Sequence, residues 1–174
     1  PNLCLAGGVA LNCVANGKIL RDGAFDNIWV QPAAGDAGGA LGAALAAYHD
    51  ELGQPRAVPA SGDLMSGAYL GPAFSQADIE HRLADAGAMF DVMGDEQLRP
   101  ATAARLADGD AVGWFSGRME FGPRALGGRS ILGDPRNATM QKTLNLKIKY
   151  RESFRPFAPS VLREDVDDYF EHEG

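Results

Sequence analysis

Between Trp114 and Arg136 the chain reads W-F-S-G-R-M-E-F-G-P-R-A-L-G-G-R-S-I-L-G-D-P-R. Arg118, Arg124, Arg129 and Arg136 recur there among five glycines and two prolines, with only two acids, Glu120 and Asp134. Glycine lets the backbone approach a ligand closely. Arginine presents a planar fork that matches phosphate or carboxylate oxygens two at a time. Together they read as a cradle for an anion, with phosphate the leading choice. The competing reading is a turn-rich hairpin in which each arginine pairs with a surface acid. Residues 118–155 hold nine Lys and Arg against three acids, a local charge of +6 in a chain whose net charge is −7. A basic island inside an acidic protein favours the anion site over scattered solubilising charge.

Other residues have the types and places for chemistry. Lys149-x-Arg151, followed by Arg155 between Phe154 and Phe157, would set two cations on one face if that exit is extended. A solvated helix C-terminus, where cations meet the macrodipole, is the plainer account of Lys149. Asp36 follows Gly35 in a glycine-rich loop between a strand and a helix, where a carboxylate can reach a metal ion or cap the helix. Asn12 lies just after Gly7-Gly8 and can bond a ribose or base edge, or serve as a polar residue of the first helical turn. His49, His81 and His172 are scattered with no metal-ligand spacing, and no nucleophile–base pair is visible. Phosphoryl and acyl-phosphate chemistry needs no such nucleophile, because positioning and charge stabilisation carry most of it.

The elements that must position these residues alternate between strand and helix. A strand over 3–6 is predicted to end at Gly7-Gly8, followed by a helix over 9–24, a strand over 27–30, a loop, and an Ala-rich helix over 40–52. That order is an α/β pattern. Residues 53–66 lose all periodicity and read as a linker into a second domain, 67–174, that is more α+β in character. There, residues 68–72 read as a short strand. Ser75 reads as the N-cap of a helix running to about 86, with Asp78 closing the cap. A strand over 89–93, a helix over 97–107 with Pro100 in its first turn, and strands over 111–115 and 130–132 follow. Helices over 138–149 and 163–170 complete the pattern, with an extended path over 157–162 constrained by Pro156 and Pro159.

Composition sets the outer bounds. Hydrophobic residues make up 45% of the 174, enough for a packed core. No apolar run approaches the ~20 residues of a membrane span. Cys4 and Cys13 form no C-x-x-C pair, and free thiols suit a reducing cytoplasm. There is no Rossmann or P-loop glycine signature. The chain opens at Pro1 on an apolar strand and is expected to be a piece of a longer protein.

Two motifs carry a resemblance. They are E-F-G-P-R-A-L-G-G-R-S-I-L from Glu120 and K-Y-R-E-S-F-R-P-F-A-P from Lys149, and they resemble the carbamoyltransferases of nodulation and antibiotic tailoring. The front of the chain, G-G-V-A-L-N from Gly7 and Q-P-A-A-G-D with Gly38, resembles the tail of that family's first domain. The resemblance implies an actin/sugar-kinase/heat-shock-70-like first domain, here residues 1–52, and a YrdC-like second domain, here 67–174 and truncated. It implies synthesis of carbamoyl-adenylate from carbamoyl phosphate and ATP, then transfer to a hydroxyl of a small-molecule acceptor. It assigns Arg118, Arg124, Lys149 and Arg151 to catalysis, and Glu120, Arg129 and Arg155 to substrate. Gly7, Gly8, Asn12 and Gly35 are assigned to the nucleotide and Asp36 to a divalent metal, iron, whose other ligands are expected outside this chain. A cytoplasmic enzyme is implied, and this piece alone is expected to be inactive. Two alternatives remain open. One is a YrdC-like module of tRNA modification, against which the net charge of −7 weighs. The other is a hydrogenase-maturation carbamoyltransferase, which should bring zinc-finger cysteines elsewhere. No membrane partner is expected, and the oligomeric state is open.

Overall fold

A computed structural model describes residues 1–58, 60 and 62–171, so His172 and two residues of the expected linker, Pro59 and Ser61, lie outside the described residues. The chain is a small mixed α/β structure. In order it holds β1 (Asn2–Leu5), α1 (Cys13–Arg21), β2 (Asn27–Val30), α2 (Asp36–Ala46), α3 (Gln76–Asp85) and α4 (Asp95–Ala107). Then come β3 (Val112–Phe115), β4 (Arg129–Leu132), α5 (Met140–Thr143) and α6 (Val166–Tyr169). Two separate two-stranded sheets form, β1 with β2 and β3 with β4. The chain divides into two compact units, one of Pro1–Phe90 with Phe115–Ser130 and the other of Asp91–Trp114 with the chain from Ile131 onward.

In the first unit, β1 and β2 run parallel in the register Leu3 with Ile28 and Leu5 with Val30. These four apolar side chains are half-buried, while Cys4 and Trp29 alternate to the exposed side. Parallel strands need a long crossover, and α1 supplies it. The helix expected over 9–24 is broken into a 3-10 turn over Gly8–Leu11 and then α1. Asn12 causes the break, because its side chain accepts from the Ala15 N–H at 3.1 Å and so starts a new helix. Helix α2 begins at Asp36, earlier than the expected Ala40, and carries Gly38 and Gly39 within it. Gly38 is required there: a Cβ would stand 2.5 Å from the Ala33 carbonyl oxygen and 2.7 Å from that of Pro32. Close packing of the loop on the helix therefore outweighs glycine's poor helix propensity.

No regular element occurs among the described residues from 53 to 65, as the loss of periodicity predicts. The strand expected over 68–72 is absent. A tight turn over Ser66–Ala68 replaces it, with Ser66 and Ala68 at positive φ. The strand expected over 89–93 is also absent, and Met89 is fully exposed. Alternating apolar residues make a strand only when a neighbour takes up the backbone hydrogen bonds. Helix α3 starts as its sequence predicts, with Ser75 and Asp78 forming a reciprocal capping box.

The second unit has its apolar centre at Met140 and Leu144, both buried. They close over Gly133, where a Cβ would lie 2.8 Å from Met140 Cγ. Helix α4 starts at Asp95, so Pro100 falls in its second turn rather than its first. Asp95 and Glu96 at the positive end of the helix dipole explain the earlier start. The helix expected over 138–149 is α5 followed by a wider π-type turn, Leu144–Ile148. The acidic helix near the end is a 3-10 turn, Arg163–Asp165, leading into α6. Among the described residues no helix is long and apolar enough to cross a membrane.

The capping box yields a pH prediction. Hydrogen bonds from the Ser75 hydroxyl and the Ser75 N–H hold the Asp78 carboxyl below its usual value of 3.8. A depressed folded-state pKa contributes stability that is present above the unfolded value and lost as pH falls through the folded one. Asp78→Ala is therefore expected to lower the urea midpoint at pH 7, and the gap from the native protein should narrow as pH falls below 3.8 toward the lower folded value. Parallel denaturation curves at pH 7 and pH 3 check this.

Candidate functional site

The arginine–glycine segment folds as a pinned loop within the first unit. Its backbone is laced to the turn after Ser66: Gly71 N–H donates to Met119 C=O (2.9 Å), Met119 N–H to Pro72 C=O (2.9 Å) and Phe121 N–H to Ala68 C=O (2.7 Å). Arg118 adds a bond from Nη1 to Gly71 C=O at 2.6 Å. Inside the loop lies Glu120, only 3% exposed. Its Oε1 accepts from the backbone N–H groups of Leu126 (3.0 Å) and Gly128 (3.1 Å), which draws residues 121–127 into a closed bend. Its Oε2 is buried with no hydrogen-bond partner. Arg129 crosses the same bend, donating from Nη2 to Gly122 C=O at 3.2 Å.

Glycines at two positions make this loop possible. Gly122 sits at φ +97°, and a Cβ there would come within 2.7 Å of Ala33 Cβ. Gly128 is buried, and a Cβ there would meet Tyr69 Cε1 at 2.6 Å. The chemistry left on the surface is cationic. Arg124 is exposed. Among the described residues, none of Arg118, Arg124 and Arg129 has a carboxylate partner. Glu120, the one acid within their segment, is committed to the backbone. Arg136 behaves differently, gripping Asp134 with Nε and Nη2 at 2.7–3.0 Å and holding that carboxyl below its usual range.

Lys149, Arg151 and Arg155 belong to the second unit. The exit from the π-type turn bends instead of extending: Lys149 is helical and Tyr150 takes a φ of +48°. Lys149 is exposed and free of ion pairs among the described residues. Arg151 is anchored, with Nε on Asn145 Oδ1 at 2.6 Å and its guanidinium 4.9 Å from the centre of the Phe157 ring. Arg155 pairs with Glu152 at 2.8 Å.

Asn145 is the residue that sequence reasoning missed. It is wholly buried, and its Nδ2 donates to the carbonyls of Ser153 (3.1 Å) and Arg155 (2.9 Å) while its Oδ1 receives Arg151. Gln141, one turn earlier, donates to Phe154 and Arg155. The available signal was a polar residue between Leu144 and Leu146, beside a buried leucine.

The nucleotide and metal candidates cluster around β1 and β2. Gly7, at φ +93°, donates its N–H to Ala34 C=O at 2.6 Å and so ties the two loops together. Gly8 opens the 3-10 turn. Asn12 uses its side-chain oxygen as a helix cap. Gly35 is the N-cap of α2 and makes no side-chain bond. Asp36 is the first residue of α2 and exposed, so it is not the helix cap. Among the described residues no three His, Cys, Asp or Glu side chains gather to hold a metal. Asp36 stands there as a single exposed carboxylate.

Comparison with known proteins follows the same two segments. Residues 1–45 match the family described as Carbamoyltransferase N-terminus, and residues 103–174 match Carbamoyltransferase C-terminus. An uncharacterized protein of Synechocystis is 65% identical over 172 residues, 98% of this chain and 28% of that protein. Nodulation protein NolO of Bradyrhizobium diazoefficiens is 48% identical over 169 residues, 97% of this chain and 30% of that protein. Nodulation protein U of Rhizobium tropici is 39% identical over 169 residues, 97% and 26%. The chain spans less than a third of the length of each of these relatives.

Three substitutions at two positions test the architecture. Glu120→Ala leaves two backbone N–H groups of the bend unpartnered and is expected to destabilise by ~1–3 kcal/mol. Glu120→Gln keeps an acceptor for both and is expected to lose less. Asn145→Ala frees two carbonyls and one guanidinium and is expected to lower stability by about 2 kcal/mol or more. Urea midpoints rank the three, and equal values for the alanine and glutamine variants at 120 would remove the clamp role.

Proposed function

The chain belongs to the carbamoyltransferase family, and from that premise we propose that the protein carrying it makes carbamoyl-adenylate from carbamoyl phosphate and ATP. The carbamoyl group then passes to a hydroxyl of a small molecule. In the first step water cleaves carbamoyl phosphate to carbamate and inorganic phosphate, and a carbamate oxygen attacks the α-phosphorus of ATP as pyrophosphate leaves; in the second the acceptor hydroxyl takes the carbamoyl group and AMP leaves. The observation that carries this reading is the loop of Arg118, Arg124 and Arg129, whose only acid, Glu120, is buried and bound to backbone. Cations with no carboxylate among the described residues suit the phosphates of both co-substrates.

Each named residue has a place in this reading. Lys149 offers a mobile ammonium and Arg151 a guanidinium already set by Asn145 and Phe157. Arg155, paired with Glu152 through Nε, is read as a further substrate contact through its remaining guanidinium N–H groups. Gly7, Gly8, Asn12 and Gly35 present backbone and amide groups to the adenosine of the adenylate. Asp36 supplies one carboxylate to a divalent metal completed by residues outside this chain, and that metal would polarise the carbamoyl carbonyl. Residues 1–52 are read as the end of an actin-like domain and 67–174 as part of a YrdC-like one. Use of ATP and carbamoyl phosphate places the enzyme in the cytoplasm.

The test separates the two steps in the full-length protein. Lys149→Ala is expected to suppress carbamoyl-phosphate-dependent pyrophosphate release from ATP. Arg151→Ala should do the same, with Arg151→Lys as a control for lost packing. Asp36→Ala is expected to spare that step and block carbamoylation of an acceptor supplied with preformed adenylate. Loss of one charge-assisted contact at a developing anion is worth ~3 kcal/mol, roughly a hundredfold in rate. The opposite pattern, with Asp36→Ala stopping adenylate formation, would reverse the assignment.

A further inference from the structure

Tyr150 has a φ of +48°, the left-handed conformation that glycine or asparagine most often supplies at a helix exit. A tyrosine held there is strained, and such strain persists only where the surroundings fix it. Its effect is to turn Arg151 back onto the helical stretch it has just left. The Arg151 N–H donates to the Asn145 C=O at 3.0 Å, and the Arg151 Nε–H donates to Oδ1 of the same asparagine at 2.6 Å. The Asn145 Nδ2 donates to the carbonyls of Ser153 (3.1 Å) and Arg155 (2.9 Å). Every polar group of this wholly buried side chain is therefore engaged.

What matters for chemistry is the part of Arg151 left over. Its Nε is taken by Asn145, and its Cζ stands over the Phe157 ring, 4.9 Å from the ring centre. The terminal nitrogens Nη1 and Nη2 remain. Arg151 has no carboxylate partner among the described residues, and the next acid along the chain, Glu152, is paired with Arg155 at 2.8 Å. An arginine held along its Nε edge meets an anion end-on, with its two terminal nitrogens on two oxygens of one group. The amide at that edge and the ring on one face set the plane of the fork, which a flexible stem alone would leave free. We propose that Asn145, supported by Phe157, is a positioning residue for the reaction: it fixes the plane of Arg151 so that the fork grips two oxygens of a single phosphate of a co-substrate. The inference rests on the reading that Arg151 holds such a phosphate. It adds a residue that acts only through Arg151, and the mode of the grip.

The test is steady-state kinetics of carbamoyl-phosphate-dependent pyrophosphate release by the full-length protein, with KM read for ATP and for carbamoyl phosphate. Arg151→Lys, which keeps the charge and loses the fork, is expected to raise one of the two KM values about tenfold or more. Asn145→Ala is expected to raise the same KM about tenfold. An enzyme that is merely less stable shows a lower apparent kcat at native KM, because its folded fraction binds normally. In the Arg151→Lys background, Asn145→Ala is expected to add less than about twofold, because an ammonium has no plane to orient. A native KM in Asn145→Ala, a rise for the other co-substrate instead, or full multiplication of the two effects in the double variant overturns the positioning role. Where Asn145→Ala does not fold, Phe157→Leu, which removes only the ring beneath the guanidinium, takes its place in the same cycle with an expected rise of about threefold, and no rise overturns the proposal. Arg151→Lys tells the two ideas apart. Native KM values for both co-substrates in that variant remove the reading of Arg151 and this inference with it, as does the absence of pyrophosphate release by native protein. A raised KM in Arg151→Lys beside a native one in Asn145→Ala removes only the positioning role.

Discussion

The carboxyl of Glu120 is the point on which the candidate site depends. One of its oxygens gathers two backbone N–H groups six and eight residues away, and the bend between them could not otherwise satisfy those donors. This contact converts a glycine-rich segment, flexible by composition, into a fixed rim that displays arginines. Its second oxygen has no partner, a state that carries a desolvation cost of ~1–3 kcal/mol in a buried position. A polar group kept under such conditions is held by the geometry around it. Here that geometry includes the close approach of Gly122 to Ala33 and of Gly128 to Tyr69.

The second unit solves a related problem by another route. Its Lys-Tyr-Arg segment leaves a wide helical turn through a residue at positive φ, and such an exit needs outside support. Asn145 and Gln141, one turn apart on the same helical stretch, supply it by holding the carbonyls of 153–155. Arg151 is thereby placed by packing and hydrogen bonds before any ligand is considered. Lys149 has no such tether and keeps the conformational freedom of its long stem.

The two classes of arginine explain why an abundance of positive charge is a poor guide by itself. Arg136 and Arg155 have carboxylates at 2.7–2.8 Å, the first on the largely covered side chain of Asp134 and the second in a surface ion pair with Glu152. Arg118 and Arg129 spend part of their donor capacity on loop carbonyls, which fixes direction without cancelling charge. Residues 103–174, which match the Carbamoyltransferase C-terminus, hold both kinds of cation and the bend that sorts them.

Much of the molecule was legible in its residues. Strand β2, the capping box of α3 and the basic character of 118–155 follow from periodicity, short-range capping chemistry and charge count, all of which act over a few residues. So does the family, because its longest motif is a contiguous run whose residue types are set by one loop. What tertiary structure alone decided are the contacts that join distant positions. Residues 68–72 and 89–93 carry strand-like patterns, yet neither becomes a strand, because a strand exists only where a partner accepts its ladder. Helix α2 starts four residues early because Gly38 must fit against Ala33 and Pro32, a contact invisible to propensity. Glu120 stands in the sequence as an acid among arginines, and only the fold shows it as the buried clamp of their loop. Asn145 drew no reading from the sequence and is the residue that holds Arg151 in place. Residue type determined which chemistry was available, and long-range packing determined which side chains remained free to do it.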